Sequence, residues 1–194
     1  MRSYQNFRLL PLIFFAIFFS LTITFLQAAA PQENASAGAL LLPGVVAPIC
    51  HLEGIDGNEY TFPATKTWNM VFFWSLFCHS CLEEMPEVQK HIARVPINSL
   101  KTFFVSLDSE RMRKALINFS NKRDLKQPIL MEQLASDSYV SADRWGVKMT
   151  PSVFIVAPDG KVAYSHQGPM DIEKFFGDFA AMIASSTVAS FTER

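Results

Sequence analysis

Residues 71–81 read Val71-Phe72-Phe73-Trp74-Ser75-Leu76-Phe77-Cys78-His79-Ser80-Cys81, an apolar run that leads to two cysteines three positions apart. The apolar run predicts a buried strand, and the residues from about Cys78 to Ala93 predict a helix that contains Pro86. The cysteines then fall in the first helical turn, where free backbone N–H groups and the helix dipole favour a thiolate over a thiol. This arrangement is typical of redox chemistry.

Strand and helix patterns alternate on both sides of this stretch. Two short strands around Cys50 and Tyr60 are joined by the turn signal Asp56-Gly57. The further predicted elements are strand 70–74, strand 102–107, a helix capped by Asp108 or Ser109, strand 128–131, a short helix 137–145 ended by Gly146, a hairpin of strands 153–156 and 162–165 around Pro158–Lys161, and a last helix capped by Asp171 with Ile172, Phe175, Phe176, Phe179 and Ile183 on its apolar side. These patterns predict an α/β fold, a central mixed sheet with helices on both faces and an N-terminal hairpin.

The N-terminal segment predicts export. No charged residue lies between Arg8 and Glu33, residues 9–26 are rich in Phe, Leu and Ile, and residues 28–30 are three alanines. These features predict a signal peptide over residues 1–30, or an uncleaved membrane anchor, because a spanning helix needs roughly 20 apolar residues. In both cases the basic residues stay in the cytoplasm and the residues after the apolar run lie outside it.

Composition divides the rest of the chain. Residues 31–44 are small and polar with several prolines and glycines, which predicts a flexible tether. Residues 45–186 then form one domain, and residues 187–194 a C-terminal tail. The chain has 17 Lys and Arg against 18 Asp and Glu, so no polybasic surface is predicted and nucleic acid is not an expected partner.

The three cysteines indicate one functional pair and one spare thiol. Two cysteines three apart in a helical turn share a face, and a disulfide needs Cα atoms within about 4.4 to 6.8 Å. Cys78, the more exposed of the two, is the predicted nucleophile, and Cys81 resolves the mixed disulfide. Cys50 lies on the inward face of a predicted strand as a buried residue, with a regulatory or intermolecular thiol as the alternative.

Three neighbouring positions have two interpretations each. His79, when protonated, could add positive charge beside the nucleophile, or it is a solvated loop residue. Glu84, one turn beyond Cys81, could take the proton that Cys81 loses, or it is a surface carboxylate. Thr150-Pro151 enters a strand, where a cis bond would turn the Thr150 backbone toward a neighbouring site, and trans-proline is the structural alternative.

Several of these motifs together resemble the thioredoxin superfamily. They are Phe73-Trp74 before the cysteine pair, Glu84 and Pro86 after it, Thr150-Pro151, and Pro158-Asp159-Gly160-Lys161. Within the superfamily the chain is most similar to exported TlpA/ResA-type thiol-disulfide oxidoreductases, whose N-terminal hairpin matches Ala47-Pro48 and Asp56-Gly57. The resemblance covers most of residues 45–183.

The resemblance implies a function and a set of site residues. Cys78 and Cys81 would be the redox pair, Pro151 the cis-proline packed beside them, and Glu84 an active-site glutamate. The residues expected to contact the substrate are Trp74, His79 and Thr150. The implied substrates are protein thiols and disulfides, with a membrane redox partner, a periplasmic or other extracytoplasmic location, and no cofactor or metal. Members commonly act as reductants in cytochrome c maturation or in related envelope thiol pathways, and draw electrons from a membrane partner.

The chain departs from the family pattern beside the pair. His79-Ser80 lacks the proline that usually precedes the second cysteine, Phe77 stands where tryptophan is common, and Phe72 occupies the place of a buried acid. The direction of electron flow and the reduction potential therefore stay open at this point.

Two other functions also stay open. A peroxiredoxin-type peroxidase shares the fold, but Val71 and Ser75 stand where its characteristic proline and threonine would be. A copper- or metal-delivery module would use the cysteine pair with a histidine such as His166, whose place in a hairpin strand equally suits a packing or surface residue.

Overall fold

The computed structural model describes residues 39–95 and 100–192, with side chains up to Ser185 in the last helix. These residues belong to the compact unit Ala35–Arg194, and the predicted signal peptide or anchor, residues 1–30, lies outside the described residues. The elements are, in chain order, β1 (Cys50–Glu53), β2 (Glu59–Phe62), β3 (Trp68–Trp74), α1 (His79–Ile92), β4 (Leu100–Ser106), a 3₁₀ turn (Glu110–Met112), α2 (Arg113–Arg123), β5 (Ile129–Met131), β6 (Leu134–Ala135), β7 (Ser138–Tyr139), β8 (Ser152–Val156), β9 (Val162–Gln167) and α3 (Ile172–Thr192).

A five-stranded sheet in the order β5-β4-β3-β8-β9 forms the centre of the fold. β3 runs parallel to β4, and β4 parallel to β5, whereas β8 is antiparallel to both β3 and β9. All seven residues of β3 are buried, because elements cover both faces of the sheet. The predicted mixed sheet is confirmed, and β1 and β2 form the predicted N-terminal hairpin.

Alternate residues of β3 belong to two apolar clusters on opposite faces of the sheet. The first contains Met70, Phe72 and Trp74, together with the buried side chains of α1, α2 and α3. The second contains Val71 and Phe73 with buried side chains of β4, β5, β8 and β9, and it also includes residues of the hairpin, Leu41, Ala47 and the segment 142–147. Helices were predicted on both faces, but all three described α-helices bury side chains in the first cluster.

The difference arises at residues 137–145, where the predicted helix is wrong. This segment forms β7 and a series of turns. The buried carboxylate of Glu132 accepts bonds from the backbone N–H groups of Ser141 and Ala142, and Asp143 accepts from Tyr139 N–H. These N–H groups are therefore satisfied by side chains rather than by a helical ladder.

The two predicted helix caps have different outcomes. Asp171 caps α3 as predicted, since its Oδ1 accepts from Lys174 N–H at 3.0 Å. The predicted cap at Asp108 or Ser109 is confirmed in position only, because Ser109 is the N-cap residue of the 3₁₀ turn that leads into α2. Ser109 precedes the 3₁₀ turn without a side-chain capping bond in the described chain, and Asp108 bonds to a different loop, described below.

Two described features lie across the predicted domain limits at residues 45 and 186. Leu41, in the predicted tether, is buried and donates its N–H to Trp145 O at 3.2 Å. At the other end α3 continues to Thr192, beyond the predicted limit at residue 186. None of the helices in the described part of the chain is long and apolar enough to cross a bilayer.

Gly146 ends the turn segment with a left-handed φ of 69°. Because residues 137–145 are not helical, it does not have the predicted helix-ending role. A Cβ at this position would lie 1.9 Å from Ala39 O. We expect Gly146→Ala to lower the free energy of unfolding by about 3 kcal/mol, because an alanine meets both an unfavourable φ and a backbone contact. Urea unfolding followed by circular dichroism measures this loss.

Gly160 offers a matched control for this substitution. Its φ is 85°, but an added Cβ would meet no described atom within 4 Å. Gly160→Ala is expected to lower the free energy of unfolding by only about 1 kcal/mol, through φ alone. Equal losses in the two variants would show that the approach of residue 39 does not constrain Gly146.

Candidate active site

The cysteine pair lies where β3 leads into α1. Cys78 and Cys81 form a disulfide with a Cα–Cα distance of 5.2 Å, inside the predicted range. Cys78 is the N-cap of α1, and its Sγ accepts from Cys81 N–H at 3.3 Å. One of the free N–H groups of the first turn therefore points at the predicted nucleophile, as the sequence led us to expect.

The two sulfurs differ in exposure. Cys81 is fully buried in the first cluster, whereas Cys78 is partly exposed. The neighbouring Phe77 is 80% exposed, an unusual value for a large apolar side chain. A client sulfur could therefore reach Cys78 but not Cys81.

Asp108 holds the loop that carries Cys78, a role that sequence reasoning missed. The side chain is only 5% exposed and accepts three hydrogen bonds: from Ser75 Oγ at 2.8 Å, Leu76 N–H at 2.9 Å and Ser106 Oγ at 2.7 Å. Ser75 O in turn accepts from Cys78 N–H at 3.1 Å. The signal that could have found it is its place just after β4, because the carboxyl ends of adjacent parallel strands meet at one sheet edge.

The Thr150-Pro151 bond is cis and lies beside the end of β3. The register that pairs Phe73 with Ser152 brings Pro151 to this edge. Pro151 is buried and Thr150 half-buried. Gln167 fixes the preceding residues, since its Oε1 accepts from Lys148 N–H at 2.8 Å.

Glu84 is half-buried on α1, one turn beyond Cys81. Its Oε1 accepts from Met170 N–H at 3.0 Å, and its Oε2 is buried without a hydrogen-bond partner in the described chain. Burial raises the pKa of the Glu84 carboxyl, and the bond from Met170 and the charge of His166 oppose this only in part. A carboxylate with a raised proton affinity can accept a proton from a neighbouring acid.

Two residues predicted to contact the substrate differ in exposure. Trp74 is fully buried against Phe119, with ring centroids 5.3 Å apart, so its side chain is not available for a surface contact. Its position inside β3, with both faces covered, is the reason. The His79 side chain is 87% exposed and pairs with Glu83 at 3.1 Å.

Cys50 is buried, as its alternating position predicted, with 1% exposure. Its Sγ accepts from Trp145 Nε1 at 3.4 Å. Burial raises the pKa of the Cys50 thiol, and the bond from Trp145 and the charge of Arg144 oppose this only in part. The thiolate that reacts with electrophiles is therefore disfavoured.

We expect iodoacetamide to modify Cys78 in the reduced native protein about 100 times faster than Cys50, because only Cys78 is accessible and close to a helix N-terminus. Peptide mass spectrometry of a time course measures both rates. In denaturant the two rates should converge. A fast native reaction at Cys50 would contradict its burial.

No group of three or more His, Cys, Asp or Glu side chains in the described chain is placed to hold a metal ion. His166 bonds instead to Pro169 O at 3.1 Å.

Comparison with known proteins agrees with this geometry. The chain is 23% identical over 124 residues to sporulation thiol-disulfide oxidoreductase A of Bacillus subtilis, which covers 63% of this chain and 73% of the relative. It is 26% identical over 160 residues to the thiol:disulfide interchange protein DsbE homolog of Paracoccus denitrificans, or 81% of this chain and 77% of the relative. The crystal structure of StoA from Bacillus subtilis has the same fold, with a TM-score of 0.56, 22% identity, and coverage of 68% and 96%.

The family model with the description AhpC/TSA family matches residues 43–165, which include β1 to β8, the cysteine pair, Asp108 and Thr150-Pro151. This match spans more than half of the chain. The chain therefore belongs to the AhpC/TSA family.

Proposed function

We propose that this protein is a thioredoxin-like thiol-disulfide oxidoreductase that exchanges disulfides with protein substrates outside the cytoplasm. The observation that carries the proposal is the Cys78–Cys81 pair, in which an accessible sulfur caps a helix and a buried sulfur lies within bonding range. The names of the relatives, a thiol-disulfide oxidoreductase and a thiol:disulfide interchange protein, support the same chemistry.

The exchange proceeds in two displacement steps. In the reduced protein the Cys78 thiolate attacks one sulfur of a client disulfide, which forms a mixed disulfide and releases the other client sulfur as a thiolate. Cys81, after losing its proton, attacks Cys78 Sγ and releases the second client thiolate. The client gains two electrons and the Cys78–Cys81 disulfide forms. The same steps in reverse oxidise a client dithiol.

The surrounding residues support these steps. The N–H of Cys81 points at Cys78 Sγ and stabilises negative charge there. Glu84 accepts the proton that Cys81 loses, because it lies one turn away and its buried Oε2 has no hydrogen-bond partner among the described residues. The register of β3 and β8 brings Pro151 to the edge of the sheet where β3 ends. In this proposal Thr150 and Pro151 contact the client chain next to the attacked sulfur.

A trapping experiment tests this function. In Cys81→Ser the resolving thiol is absent, so we expect covalent complexes between Cys78 and client proteins to accumulate in intact cells. Non-reducing gels followed by mass spectrometry identify the partners. The matched control is Cys78→Ser/Cys81→Ser, which retains Cys50 and should trap nothing.

Two outcomes would contradict the proposal. Equal trapping by the single and double variants would assign the reaction to another residue. Steady consumption of hydrogen peroxide by the purified protein, without exchange on protein disulfides, would favour the peroxidase alternative.

The location and the pathway form the finer part of the proposal. The charge-free run at residues 9–26 supports export or anchoring, and the resemblance to TlpA/ResA-type proteins supports a reductant role in cytochrome c maturation with a membrane electron donor. Among the trapped partners we therefore expect apocytochromes and a membrane thiol protein. Partners confined to the cytoplasm would contradict this part.

A further inference from the structure

We propose that His166 is a positioning residue that acts on Glu84 through the peptide group between Pro169 and Met170. The carbonyl of Pro169 lies 3.1 Å from His166 Nε2, and the N–H of Met170 donates to Glu84 Oε1 at 3.0 Å. This C=O and this N–H belong to the same peptide unit. A single peptide therefore links β9 to the active-site helix α1.

The direction of the hydrogen bonds is fixed by chemistry. A carbonyl oxygen can only accept, so His166 Nε2 carries a hydrogen and donates it to Pro169 O. A peptide whose carbonyl accepts a bond becomes a better N–H donor, because bonds in a chain polarise one another. His166 thereby strengthens the bond from Met170 N–H to the Glu84 carboxylate.

The groups around Glu84 shift the pKa of its carboxyl in opposite directions. From its own helix Glu83 raises the pKa of Glu84, and from β9 His166 lowers it. Glu83 is itself paired with His79 on the surface. The Met170 N–H, the remaining group that faces the carboxyl, also lowers its pKa. His166 is thus the side chain on β9 whose interaction with Glu84 favours the ionised carboxylate.

The consequence rests on the proposed function, in which ionised Glu84 accepts the proton of Cys81. Without His166 the carboxyl would keep its own proton to a higher pH. The resolving step would then require a higher pH, while the first attack by Cys78 would be unchanged. The role is distinct from substrate contact, because His166 acts on Glu84 and not on the client.

The first test follows Glu84 itself and needs no activity. Carboxyl carbon NMR of the oxidised protein measures the titration midpoint of Glu84 in the wild type and in His166→Val. We expect the midpoint to rise by about 0.5 to 1 pH unit, equivalent to a three- to ten-fold change in proton affinity. An unchanged midpoint would overturn the proposal, whatever the fate of the proposed function.

The conservative variant His166→Gln separates the peptide link from simple charge, because its amide nitrogen can still donate to Pro169 O. A midpoint below that of His166→Val supports the link. A midpoint equal to or above it would mean that the peptide transmits nothing, and would overturn the proposal.

The second test measures the resolving step by stopped flow, as the release of a client thiol from a preformed mixed disulfide at different pH values. His166→Val should shift this pH profile upward by the same amount as the Glu84 midpoint. In a Glu84→Gln background the same substitution should cause no shift, and a persisting shift would overturn the route through Glu84. A different result would contradict only the proposed role of Glu84: His166→Val raises the titration midpoint of Glu84 as expected, but Glu84→Gln leaves the rate of the resolving step unchanged.

Discussion

Replacement of Cys78 by serine is expected to slow the reduction of insulin disulfides by a factor on the order of 10³ or more. The serine hydroxyl stays protonated at neutral pH, so the bond from the first helical turn has no anion to stabilise. Its oxygen also cannot form the mixed disulfide on which the exchange depends. Turbidity of precipitating insulin chains, with dithiothreitol as electron donor, measures the rate.

The matched control is Cys50→Ser, which changes the same chemical group at a buried site. It should retain the rate within about a factor of two, because Cys50 lies on the opposite face of the sheet from the pair. A Cys78→Ser protein that keeps a tenth of the wild-type rate would contradict the assignment of the nucleophile. So would a comparable loss in Cys50→Ser with an intact fold.

Replacement of Asp108 by alanine is expected to lower the free energy of unfolding by about 4 kcal/mol. The carboxylate accepts three bonds, two of them from the loop before Cys78, and its removal leaves buried donors without partners. Guanidinium unfolding of the oxidised protein, followed by tryptophan fluorescence, measures the loss. Since Ser75 and Leu76 lose their anchor, the reduced variant should also show a slower reaction at Cys78.

Two variants serve as controls for Asp108. Ser109→Ala, at an exposed neighbour without a capping bond in the described chain, should change stability by less than about 0.5 kcal/mol. Asp108→Asn keeps the shape but replaces one acceptor oxygen by a donor facing other donors, so it should lose at least half as much as the alanine variant. Full stability in Asp108→Asn would contradict the role of the carboxylate.

The parts of the fold that the sequence predicted are those with strong local signals. The uninterrupted apolar run predicted β3, and the Asp-Gly turn predicted the hairpin of β1 and β2. Asp171 precedes an apolar helical pattern and caps it. The segment 137–145 could not be predicted in this way, because its N–H groups bond to Glu132, a residue outside any local helical pattern.

In the candidate active site, too, the features with a local sequence signal could be predicted, whereas contacts between distant residues could not. The spacing of Cys78 and Cys81 predicted their pairing, and the family resemblance predicted the cis bond before Pro151, both of which are present. Asp108 and the loop before Cys78 are 32 or 33 positions apart, and His166 approaches Glu84 only through a connection after β9. Such contacts depend on how strands are ordered in the sheet, which local patterns do not specify.

The burial of Cys50 has a consequence for the assembly of the protein. Three sulfurs allow three pairings in an unfolded chain, two of which would use Cys50. Once the central sheet has formed, it separates Cys50 on one face from the other two sulfurs on the opposite face. An oxidant that acts after the sheet has formed can make only the Cys78–Cys81 disulfide. An oxidant that acts earlier can form a disulfide between Cys50 and one of the other two cysteines. Refolding in reducing buffer before air is admitted should therefore give the higher yield of active protein.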